Sequence, residues 1–161
     1  MGARQFVSSA PTPPPVTRHP AARKPPARAH TRARHARGAG KGVAPNQLIY
    51  NLTRRGIEWD LLPWLRARSI PVMAYSPLEQ ARIVGNKGLA AFAATHGMTP
   101  AQAALAWLLA QDDVIAIPKC GNAARMAENV RAASIELTRS QLAELDAVFP
   151  PPERAQPLEM L

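Results

Sequence analysis

The sequence has a single cysteine, Cys120, among its 161 residues. An internal disulfide is therefore excluded, as is a metal site built from several thiolates. This cysteine usage fits a reducing compartment, and a cytoplasmic setting is expected. No stretch approaches the roughly 18 consecutive apolar residues of a membrane span, so no membrane partner is expected. The N-terminus lacks the apolar core of a secretory leader. Phe6 stands where a myristoylation signal carries Ser or Thr. Acidic residues are missing from residues 1–42, which hold nine Lys or Arg. Residues 43–161 hold eleven Lys or Arg and eleven Asp or Glu, so the net charge of +9 belongs to the first segment. The neutral remainder offers no footprint for DNA or RNA, and nucleic acid is not its expected partner.

Residues 1–42 are also poor in large apolar groups, Phe6, Val7 and Val16 being nearly all of them. They contain seven prolines, including Pro13-Pro14-Pro15, and repeated Ala-Arg pairs such as Arg32-Ala33-Arg34. Such a composition cannot bury enough surface to offset chain entropy. A disordered basic tail with polyproline II stretches is expected. Three roles stand open for it. It is a tail without function of its own, a targeting peptide whose amphipathic helix seven prolines would oppose, or a nucleic-acid arm short of aromatic groups for stacking.

After Gly42 the texture changes. Gln47-Leu48-Ile49-Tyr50-Asn51 reads as a strand. Ile57 to Arg68 has helical spacing, with Ile57, Leu61, Trp64 and Leu65 on one side. Pro71-Val72-Met73-Ala74-Tyr75 reads as a second strand, closed by Ser76-Pro77. Lys87 to His96 reads as a helix stopped by Gly97. Thr99-Pro100-Ala101-Gln102 is a capping box opening a helix to about Gln111. Val114 to Ile117 reads as a third strand, and Asn122 caps a helix reaching about Ala133. Thr138-Arg139-Ser140-Gln141 opens a last helix, which Pro150-Pro151-Pro152 stops beyond Phe149. Strands that are continuous apolar runs, interleaved with helices, predict a parallel α/β sheet.

Functional groups of such folds collect where strands end. The first strand carries Gln47. The second ends in Tyr75-Ser76-Pro77-Leu78. The third runs into Pro118-Lys119-Cys120-Gly121 and a helix whose Arg125, Glu128 and Asn129 share one face. A helix N-terminus flanked by Lys119 and Arg125 suits a phosphate. The spacing alone is equally that of a solvated helix face. Gln47 and Tyr75 could likewise be ordinary strand residues.

Taken in order, these segments resemble the aldo-keto reductase family. Val114-Ile115-Ala116-Ile117-Pro118-Lys119-Cys120-Gly121 with Arg125 and Glu128-Asn129 resembles the signature of the family's last barrel strand. Asn46 to Asn51 resembles its sixth strand, Val72 to Leu78 its seventh, and Thr99 to Trp107 the helix that follows. The resemblance implies that residues 43–161 form the C-terminal half of a (β/α)8 TIM barrel, a partial NADP-dependent oxidoreductase domain. It implies NADPH-dependent reduction of aldehydes and ketones, with a carbonyl small molecule and NADP(H) as partners. It gives Gln47 the nicotinamide carboxamide, Tyr75 the nicotinamide ring, and Ser76 and Leu78 the pyrophosphate. It gives Lys119 and Arg125 the 2′-phosphate, and Glu128 and Asn129 the adenine.

Two positions depart from the pattern. Ala81 stands where the family often has glycine, and Cys120 where it has Ser or Ala. The family's catalytic tyrosine, lysine, aspartate and histidine come from the first half of the barrel. Residues 1–42 contain no Tyr and no Asp, and Lys24 and Lys41 sit in no family motif. His96, ahead of Gly97, reads as a charge partner at a helix C-terminus. A truncated chain without catalytic residues is therefore expected, inactive in isolation; the alternative is a non-catalytic cofactor-binding fragment or a pseudoenzyme acting as an interaction protein.

Overall fold

A computed structural model describes residues 45–160. The tail expected over residues 1–42 lies outside the described residues. Three short strands, β1 (Asn46–Ile49), β2 (Val72–Tyr75) and β3 (Val114–Ala116), lie parallel in the order β1-β2-β3. Asn46 aligns with Val72, and Val72 with Val114, so one residue row crosses all three. Among the described residues five α-helices follow the strands: α1 (Leu61–Arg66), α2 (Lys87–Thr95), α3 (Pro100–Leu109), α4 (Ala123–Arg131) and α5 (Arg139–Val148).

The helix expected from Ile57 begins only at Leu61, after a separate 3-10 turn, Gly56–Glu58. Pro63 explains the delay. A proline has no N–H to donate and its ring crowds the turn before it, so it belongs in a helix's first turn. A helix starting at Ile57 would have placed it inside. The helix expected as far as Ala133 ends at Arg131 and tightens into a 3-10 turn, Ala132–Ser134. Both capping boxes form. The Thr99 and Thr138 hydroxyls accept the amides of Gln102 and Gln141, whose side chains accept from the Thr99 and Thr138 amides. Asn122 caps α4 through the Arg125 amide. His96 closes α2, and Gly97 follows at φ +67°, where Met98 N donates to Ala93 O.

The pleat sorts the strand residues. Leu48, Val72 and Ala74 point into a core shared with Leu62, Leu65, Leu89, Trp107 and Leu145. Each such buried leucine contributes about 2 kcal/mol through the area removed from water. Gln47, Met73, Tyr75 and Ile115 alternate with them, and Gln47 and Ile115 are exposed. Helix α2 meets α5 closely. A β-carbon on Gly88 would stand 2.6 Å from Val148 Cγ1.

Candidate functional site

Because the strands are parallel, all three C-terminal ends open at one end of the sheet, and so do the loops beyond Ile49, Tyr75 and Ala116. The sequence-predicted residues gather in β1 and around those loops. Gln47 pairs with Met73, and Ile49 with Tyr75, so Gln47 and Tyr75 are diagonal neighbours on one face of the sheet. Gln47 is exposed and Tyr75 half-buried.

Beyond Tyr75 the chain takes an unusual path. Ser76, Glu79, Gln80 and Ala81 all have positive φ, at 51°, 48°, 56° and 69°. Each such non-glycine residue costs roughly 1–2 kcal/mol, so the loop needs outside support. Asn51, at the end of β1 and 1% exposed, supplies part of it. Its Nδ2 donates to Ser76 O and to Glu79 Oε2, both at 2.9 Å, and its Oδ1 accepts from the Thr53 amide and hydroxyl. Glu79, 6% exposed, accepts further bonds at Oε1 from Arg54 and Arg82. Arg54 also reaches Glu159 at 3.1 Å, tying the C-terminal segment to the same cluster. Burial opposes ionisation of Glu79, but the hydrogen bonds from Arg54 and Asn51 and the nearby charges outweigh it. Its carboxyl is held below the usual carboxylate range. Leu78 packs its side chain against the core.

The third loop carries Lys119 and leads into α4. Both Lys119 and Arg125 are exposed, and among the described residues neither pairs with a carboxylate. Arg54, Arg55 and Arg82 all do. The first turn of α4 has no acidic residue. Cys120 Sγ donates to Asn122 O at 3.2 Å, which folds the loop onto the helix start. Glu128 and Asn129 are half-buried one turn on. Glu128 accepts a bond from Thr99 Oγ1 at the head of α3.

Asn51, Arg54 and Glu79 were not expected from the sequence. Asn51 and Glu79 are 28 residues apart, and no local spacing pairs them. The one available signal was an acid in an otherwise apolar Ser-Pro-Leu-Glu turn. Tyr50, by contrast, is no candidate acid. It is fully buried, packs 5.5 Å from Trp107 and donates to Glu58 at 2.8 Å. Burial, and then the charge of Glu58, push its hydroxyl pKa far upward. His96 is held by Glu144 at 2.8 Å, as a helix-end partner. A cleft of about 620 Å³ opens between Leu52–Gly56 and Pro150–Gln156, and no sequence-predicted residue lines it. Among the described residues no helix is long and apolar enough to cross a membrane. No cluster of three His, Cys, Asp or Glu is placed among them to hold a metal.

Parallel βα units with their loops at the carboxyl ends of the strands define an α/β protein. The Aldo/keto reductase family profile matches residues 27–149, and the chain belongs to that family. The match begins ahead of the composition break near Gly42. Methylglyoxal reductase YeaE of Escherichia coli K12 is 39% identical over 127 residues, 76% of this chain and 45% of that protein. An aldo-keto reductase from Klebsiella pneumoniae, solved in complex with NADPH, is 42% identical. It superposes with a TM-score of 0.70 over 73% of this chain and 43% of that one. A thermostable aldo-keto reductase, Tm1743, solved with the inhibitor epalrestat, is 32% identical with a TM-score of 0.66, over 72% of this chain and 43% of that one. The chain thus spans less than half the length of these relatives, and its fold is part of their (β/α)8 barrel.

Proposed function

We propose that this chain carries the NADP(H)-holding part of a carbonyl reductase and lacks the part that moves protons. The observation that carries the reading is the pair Lys119 and Arg125. These are two exposed cations without a carboxylate partner among the described residues, beside a helix start free of acids. That donor set fits a phosphate carrying two charges, and neighbours of this fold were solved with NADPH.

Lys119 and Arg125 would hold the 2′-phosphate, and Glu128 and Asn129 the adenine. Leu78 has its side chain committed to the core, so its backbone and that of Ser76 would face the pyrophosphate. Gln47 would bond the nicotinamide carboxamide, and the flat face of Tyr75 would carry the ring. When bound, NADPH supplies a hydride to a carbonyl carbon. The oxygen then needs a proton, and the described residues offer no positioned acid for it. Tyr50 is buried and bonded to Glu58, and His96 is bonded to Glu144. A small aldehyde or ketone in a cytoplasmic setting completes the proposal.

The test is a pair of assays on the 161-residue chain. NADPH should bind, with quenching or shift of its fluorescence, and no simple aldehyde should be reduced above a heat-killed control. Positioned proton transfer is worth about 10²–10⁴-fold in rate. Turnover would contradict the second half of the reading. Absence of NADPH binding would contradict the first.

A further inference from the structure

We propose that Glu79 is a positioning residue for the cofactor: its buried carboxylate, bound by Asn51, Arg54 and Arg82, sets the left-handed backbone of Ser76–Ala81 into the shape that receives a pyrophosphate. This rests on the reading that the chain binds NADP(H).

Four non-glycine residues with positive φ in six positions do not hold that path by preference. Inside the loop the backbone offers little, chiefly Glu79 N to Ser76 O at 2.9 Å and Arg82 N to Glu79 O at 3.0 Å. The rest comes through side chains. Asn51 grips the loop twice, at Ser76 O and at Glu79 Oε2, and its own carbonyl is fixed by Thr53. Arg54 brings two bonds to Glu79 Oε1 and a third to Glu159. Glu79 is thus the point at which the ends of β1, β2 and the C-terminal segment meet. Its charge is neutralised by arginines of which Arg82 is largely exposed. Removing the carboxylate leaves Asn51 Nδ2 with one acceptor fewer, Arg82 without its anion and Arg54 with Glu159 alone. The backbone of Ser76 and Leu78 would then be free to leave the strained path.

The experiment uses the full chain and three probes: NADPH, NADH and adenosine 2′-monophosphate. The pyrophosphate is common to the two dinucleotides and absent from the monophosphate. Glu79→Ala should weaken NADPH and NADH alike, by about tenfold or more. It should leave the monophosphate, which needs only Lys119, Arg125 and the adenine groups, within about twofold. Without any cofactor, the amides of Glu79 and Arg82 should exchange faster in the variant. If Glu79→Ala does not fold, the isosteric Glu79→Gln, which keeps volume and loses charge, should give the same pattern in smaller degree. A general structural role would weaken the monophosphate equally, and that result overturns the inference. Unchanged dinucleotide binding overturns it as well. Failure of the unsubstituted chain to bind NADPH would instead remove the functional reading beneath it, whatever the amide exchange shows.

Discussion

The Thr99 hydroxyl, 29 residues before Glu128 in the chain, donates to the Glu128 carboxylate at 2.5 Å and accepts the Gln102 amide as the cap of α3. One hydroxyl therefore joins the head of α3 to the middle of α4. The residue proposed to hold adenine is already oriented by its neighbour. Thr99→Ala should cost about 1 kcal/mol through the lost cap, read as a lower denaturation midpoint, while Thr99→Ser should cost little. Glu128→Ala should weaken NADPH and NADH by the same factor, because adenine is common to both. An effect of Glu128→Ala on stability alone, with both cofactors unaffected, would restrict Glu128 to the helix contact.

Ala81 sits at φ +69°, a conformation that a β-carbon disfavours and glycine accepts freely. Its side chain is exposed, so little packing is lost on its removal. Ala81→Gly should raise stability by about 1 kcal/mol, the relief of strain exceeding the added freedom of the unfolded chain. Urea denaturation measures this directly. A lower midpoint would mean that the loop does not hold the left-handed path.

Glu79 also fixes a pH dependence. Its folded-state pKa lies below its ordinary value of 4.5, so the folded state favours the ionised form. The resulting stabilisation is complete above that value and is lost as the pH falls from it through the folded pKa. The chain should outlast its Glu79→Gln variant in urea at pH 7, and the gap should close below about pH 4.5 as the carboxylate takes up its proton. A gap that widens in acid would contradict the assignment.

Much of this fold is legible in the amino-acid sequence itself. Both capping boxes, the Asn122 cap and three parallel strands follow from local chemistry: hydroxyl or amide caps ahead of helical spacing, and short apolar runs between them. The end of β2 and the Lys119–Arg125 segment could be read because their residues are close in sequence. The clamp around Glu79 could not. Apart from Arg82, three residues from Glu79, its members come from 25 to 28 residues apart, and the C-terminal Glu159 lies 105 residues from Arg54. Only the pairing of β1 with β2 brings Asn51 under Ser76. The positive φ of Ser76 and Glu79 was equally hidden, since neither residue type announces it. Pro63, and Asp60 at the N-cap position, were local signs that could have placed the start of α1 correctly.

Binding of NADPH and NADH to the full chain, before and after Arg125→Ala, tests the central claim most directly. If Lys119 and Arg125 hold the 2′-phosphate, the unsubstituted chain prefers NADPH. The substitution should then weaken NADPH by about tenfold or more, the worth of one charge-assisted contact, and change NADH little. Equal losses for the two cofactors would show that Arg125 serves the helix and not the phosphate, and would contradict the account.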